Sequence, residues 1–158
     1  MFDAPFDATY AWLGIALFSV VVAGVVTTLP ETPPPDVDGV AYTVDSVADG
    51  DHPATAEHGL VADRIRLTDR SVALEADGAV AHATLHAEVT PASEGDGGSA
   101  DLRRVLTGMP PERVFEDSEA FATAAREARA AEHEWYPAPS RLTVRQVHYG
   151  EIHVTLVG

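Results

Sequence analysis

From Ala11 to Leu29 the chain runs through 19 residues, AWLGIALFSVVVAGVVTTL, without one acid or base. A helix of that length rises about 28 Å at 1.5 Å per residue, close to the roughly 30 Å hydrocarbon thickness of a bilayer. A helix buried at the edge of a globular core keeps a polar face, and this run has none. Tyr10 and Trp12 stand at its leading edge, where amphipathic rings favour the headgroup region, and Pro30 ends it. The run predicts a transmembrane helix over 10–29 behind a short acidic tail over 1–9, with the lipid bilayer as its first partner.

A cleaved signal peptide fits less well. Secretory signals combine a basic leader, a shorter apolar core and a small-residue cleavage site. Here the leader MFDAPFDATY is acidic, and VVTTLPETP offers no Ala-x-Ala site. The first basic residue is Arg64, so the positive-inside rule has nothing to count. The usual behaviour of N-terminal anchors gives a single-pass protein of the cell membrane with its large domain extracytoplasmic. Ala16, Ser19, Ala23 and Thr27 share one helix face and would let a second helix approach closely.

Residues 30–39 read as a Pro-rich linker. PETPPPDVD holds four prolines, and as polyproline-like chain it would rise about 3.1 Å per residue, roughly 28 Å in all. Residues 40–158 then read as an α+β domain of about six antiparallel strands covered by one or two helices. Val40, Tyr42 and Val44 alternate as in a strand. Ile65 and Leu67 would pair with Leu74 and Val72 across Asp69-Arg70. The dipeptide Asp77-Gly78 marks a tight hairpin that sets Leu74 opposite Ala81 and Val72 opposite Ala83. Ala79, Ala81, Ala83, Leu85, Ala87 and Val89 form an inward row whose small side chains leave room for a helix. Ser99 caps a short helix ending at Gly108. A better one follows in DSEAFATAAREARAAEH, whose stripe Phe121, Ala124, Ala125, Ala128 and Ala131 is expected on the alanine strand. A three-residue loop at His148-Tyr149-Gly150 closes a final hairpin, pairing Val144 with Val154 and Gln146 with Ile152.

Charge bears on the setting. The chain carries 25 acidic and 10 basic residues, net −15, with arginine as its only Lys/Arg-type base and no asparagine. Self-repulsion of that size destabilises a compact state in dilute buffer but is screened in molar salt, where the Debye length is about 3 Å. The composition reads as a halophile's surface, with a cation-binding surface as the competing reading. It argues against nucleic acid, whose phosphates would be repelled. With no cysteine, disulfides, thiolate metal sites and cysteine nucleophiles are excluded.

Chemistry-bearing motifs are weak. His82 and His86 lie four apart, but on a strand that separates them by about 13 Å, too far for one zinc ion. Asp36–Gly39 (DVDG) and Asp49–Asp51 (DGD) look like fragments of calcium loops without the remaining ligands. No nucleophile elbow, phosphate loop or dinucleotide fingerprint occurs. No catalytic residue, cofactor or metal is therefore assigned. Trp135 and Tyr136 form a possible interaction tip, or else a plug at the edge of the core.

The stretch MFDAPFDATYAWLGIALFSVVVAGVVTTLPETPPPDV resembles the N-terminus of a family of short haloarchaeal single-pass membrane proteins of unknown function. There an aspartate-containing leader, a Tyr/Trp-started span and a Pro-rich tether precede a compact domain. The resemblance implies a pilin-like accessory protein associated with type IV pilus or type II secretion-like assemblies. Pilin precursors carry Lys or Arg before their processing site, and this leader has neither. The expected function is thus a non-catalytic accessory or structural subunit of a cell-envelope assembly, with envelope proteins as partners of helix and domain. The alternative is an anchored module that binds a surface ligand or cation.

Overall fold

The computed structural model describes residues 34–93 and 99–158, which belong to one compact unit, Pro34–Gly158. Helix α1 spans Val37–Ala48. Asp36 caps it by accepting from the Gly39 N–H at 3.0 Å, an arrangement typically worth about 1 kcal/mol. A Cβ on residue 39 would collide with that carboxylate, so the glycine is part of the cap. The strand expected over Val40–Val44 is therefore helix, and Val37 and Asp38, counted in the linker, are its first residues. Val37, Val40, Ala41, Val44 and Val47 make one buried stripe at helical spacing, while Tyr42 stands 77 % exposed. The period-two reading matched three residues. The full stripe is longer, and its burial outweighs the modest helix propensity of valine.

The strands are β1 (Thr55–Gly59), β2 (Arg64–Leu67), β3 (Ser71–Ala76), β4 (Ala79–Thr84), β5 (Thr90–Pro91), β6 (Tyr136–Pro137), β7 (Arg141–Tyr149) and β8 (Ile152–Val157). Helix α2 covers Ala100–Leu106 and helix α3 Ser118–Ala130. Ser99 and Asp117 cap these helices by accepting from Leu102 N–H and Ala120 N–H. The α+β class holds, but in place of one antiparallel sheet there are two of four strands each. The central sheet has the order β1-β7-β8-β5 and the outer sheet β4-β3-β2-β6. One pair, β5 with β8, is parallel.

In the outer sheet the registers are those the alternation predicts: Leu67 opposite Val72, Ile65 opposite Leu74, Leu74 opposite Ala81, and Val72 opposite Ala83. Asp77 and Gly78 both take positive φ, 50° and 77°, as the tight turn requires. The inward row does not stay in one strand to Val89. β4 ends at Thr84, and Leu85 and Val89 N–H bond back to the Arg70 and Asp69 carbonyls as the chain crosses to the central sheet.

A helix does lie on the alanines of β4, but it is α1. Ala81 and Ala83 pack with Val40, Ala41, Val44, Ile65, Leu74 and the β7 residues Leu142 and Val144 in one cluster. The α3 stripe instead joins a second cluster, where Phe121, Ala125 and Ala128 meet Val147, Val154 and Leu156. Phe121 is fully buried, its ring 5.3 Å from Phe115 and 6.4 Å from Tyr149.

The central sheet thus has a hydrophobic cluster on each face. This explains why the last hairpin departs from expectation. Val144 faces Val157 and Gln146 faces Thr155, around a two-residue turn at Gly150-Glu151. Along Val154–Val157 every residue is buried, so the alternation that fixes register in a one-faced strand is absent. Among the described residues no helix is long and apolar enough to cross a membrane. The span read over 10–29 and its face Ala16, Ser19, Ala23 and Thr27 lie outside them.

Candidate functional site

Three features of the folded unit gather polar or aromatic groups. The first is a cleft of about 440 Å³ where the end of α1 meets β8, lined by Asp49, Asp51, Glu88, Arg129, Gln146 and Thr155, among others. Gln146 sits on the core-facing row of β7, in line with Leu142 and Val144, and is buried. Its Nε2 donates to the Ala48 and Gly50 carbonyls at 3.1 and 2.7 Å. It thereby satisfies acceptors that the helix terminus leaves open. Two carbonyls can only accept, so the amide orientation is fixed. Oε1 is then left buried without a partner among the described residues. Arg129 and Glu88 pair at 2.9 Å across one side of the cleft.

His148 and His153 are directly paired on β7 and β8, and their rings stack at 3.9 Å. Burial first, then the nearby His153 and His52, holds His148 below the usual histidine value.

The second feature is a groove of about 590 Å³ between α1 and β4. Asp38, Tyr42, Asp45 and Asp49 line its helical wall, and His82, Ala83 and Thr84 its strand wall. Asp45 closes one end. Its carboxylate accepts from the His86 and Ala87 N–H groups at 3.0 and 3.2 Å and meets His86 Nδ1 at 2.9 Å. Burial alone would raise the Asp45 pKa, but the bonds from the His86 ring and the two N–H groups outweigh it and lower it. The same hydrogen bond, with the charge of Asp45, raises His86.

The third feature lies beside the outer sheet. The Arg64 and Arg66 guanidinium carbons lie 5.7 and 5.2 Å from the Trp135 ring centroid, a distance at which cation–π attraction operates. The pair Trp135-Tyr136 is thus divided. Trp135 is half-buried against arginines, while Tyr136 pairs with Ile65 and packs against the first core cluster.

The chemical capacity of these groups is limited by bonds already made. Thr43 Oγ1 lies 2.9 Å from His58 Nδ1, the spacing of a hydroxyl and its base. That hydroxyl also donates to the Gly39 carbonyl at 2.9 Å. Its one proton is thereby used, so His58 donates and does not act as a base toward it. Of the calcium-like fragments, Asp36 is a helix cap and Asp49 ends the same helix. Among the described residues no group of three His, Cys, Asp or Glu is placed to hold a metal ion.

Sequence reasoning missed Gln146, Asp45 and the Thr43–His58 contact. A signal existed for Gln146: a polar residue in the apolar row of RLTVRQV. None existed for Asp45, because its partner is 41 residues away.

A model for a family of unknown function (DUF7283) matches residues 3–147. No curated protein and no solved structure matches the chain.

Proposed function

The chain belongs to that family of unknown function, and from this premise we propose that it is a membrane-anchored, non-catalytic subunit of a cell-envelope assembly, pilus-like or secretion-like. Residues 10–29 hold it in the bilayer, and the folded unit from Pro34 onward meets protein partners outside. The carrying observation is the uncharged run Ala11–Leu29 placed directly before a folded unit. The committed hydroxyl of Thr43 supports the non-catalytic part. Affinity purification of the full chain from membranes solubilised in high salt tests it. Envelope proteins co-purify on this reading; a strictly monomeric species with none contradicts it.

A second reading, an anchored cation-binding module, is favoured by the buried Gln146 Oε1, without a partner among the described residues, in the cleft that Asp49, Asp51 and Glu88 also line. Calorimetric titration of the solubilised chain with Ca²⁺ in molar KCl separates the two. Heat accompanied by a rise in melting temperature supports the module, and the absence of both removes it.

A further inference from the structure

Four strands end the two sheets: β1 and β5 in one, β4 and β6 in the other. Open edges invite pairing with other chains, and native proteins blunt them with short strands, proline or charge. β5 and β6 are two-residue strands, each with a proline. β1 carries Glu57, held by Arg141 of the neighbouring strand. β4 has none of these devices. It is six residues long, AVAHAT, in unbroken register with β3 and without a charged side chain other than a titratable histidine.

The turn at Asp77-Gly78 makes Ala76 and Ala79 a hydrogen-bonded pair. Bonded and non-bonded pairs alternate along an antiparallel ladder. The N–H and C=O groups of Val80, His82 and Thr84 therefore point away from β3. No described residue bonds to them. Beside this open edge runs the α1 groove, with exposed Asp38, Tyr42 and Asp49 on its far wall.

We propose that the groove between α1 and the free edge of β4 binds an extended, arginine- or lysine-bearing segment of a partner protein as an added strand. It deepens, and rests on, the reading of the domain as a protein-contact module. Backbone bonds to Val80, His82 and Thr84 supply affinity, and alternate side chains supply selection. Residues on the outer face lie beside Val80, which is 48 % exposed. Those on the inner face enter the groove. There an aliphatic stem covers the Tyr42 ring and its cationic head meets Asp38 or Asp49, as long basic side chains do. Asp45 takes no part in selection, since its carboxylate is occupied by His86 and Ala87.

The test uses the full chain in detergent and a synthetic peptide of alternating arginine and valine, as long as β4, with a glutamate–valine peptide as control. Amide exchange is followed residue by residue. The arginine peptide is expected to slow exchange at Val80, His82 and Thr84 and to bind at least about tenfold tighter than its control at low salt. That advantage shrinks in molar KCl as the carboxylates are screened, and Asp38→Asn with Asp49→Asn removes it. His82→Pro deletes one outward donor and leaves the β3 ladder intact, since proline is tolerated at an edge N–H that faces solvent. It should abolish the protection while the melting temperature holds.

Failure of the arginine peptide to protect these amides at any salt overturns the proposal. So does protection that survives His82→Pro. Protection already present in the free chain also overturns it, because the edge would then be filled by a second copy or another segment. Solubilised protein makes the result independent of whether the chain is anchored in the cell, so the two readings fail separately.

Discussion

The central and outer sheets are both four-stranded, yet they bury different amounts of themselves. In the central sheet, Leu142, Val144 and Val157 face one cluster while Val147, Val154 and Leu156 face the other. In the outer sheet Ile65, Leu67, Val72, Leu74, Ala81, Ala83 and Tyr136 pack on one cluster, and Val80, His82 and Thr84 remain exposed. The central sheet is covered on both faces, and access lies with the outer one. A strand buried on both faces can bind nothing without unfolding, whereas one buried on a single face offers a surface and, at β4, an edge.

The largest expected effect tests that division directly. Phe121→Ala, in the cluster on one side of the central sheet, should cost about 3–5 kcal/mol. Val80→Ala on the outer sheet should stay within about 0.5 kcal/mol. Denaturant midpoints of the two variants measure the difference, and similar costs would mean that the outer sheet is covered after all.

Next comes the polar residue inside the central sheet. Gln146→Leu leaves the part-buried Ala48 and Gly50 carbonyls without their donor and should destabilise by about 1 kcal/mol, the net worth of such bonds. Full stability would show that water serves those carbonyls. Of similar size is the cap of the helix that joins the two sheets. Asp36→Ala should lower stability by about 1 kcal/mol and speed amide exchange at Gly39. No change would argue against the helical start.

The weakest effect is in pH dependence, where two histidines act in opposite senses. His148 is held below its unfolded value of 6.5, so the unfolded chain binds that proton more tightly. Stability therefore falls as pH drops through 6.5, until the folded value is passed. His86 is raised above 6.5, so its contribution is full below 6.5 and is lost as pH rises through the folded value. His148→Phe should flatten the acid side of a stability–pH profile. His86→Ala should lower stability on the acid side alone. Matching profiles for both variants would break the assignment.

The same contrast decides how far the fold was legible in the sequence. The β2–β3–β4 registers were readable because one face alternates and Asp77-Gly78 pins the turn. The cap Ser99 and the apolar stripe of α3 were readable from local spacing. The β7–β8 register was not, since burial on both faces erased the alternation. Helix α1 was misread because Val40, Tyr42 and Val44 mimic a strand in a short window. The partner of α3 was misplaced on the alanine strand, for its alanine stripe suits any small-residue surface. Of the candidate sites, the α1–β4 groove depends on a helix the sequence hid, and the cleft depends on bonds between β7 and the end of that helix.

The anchored reading is tested most directly by fractionating cells that express the full chain and washing the membranes at alkaline pH without detergent. Retention in the pellet, with release only on addition of detergent, is the predicted result. Recovery of the chain in the supernatant after that wash would contradict it.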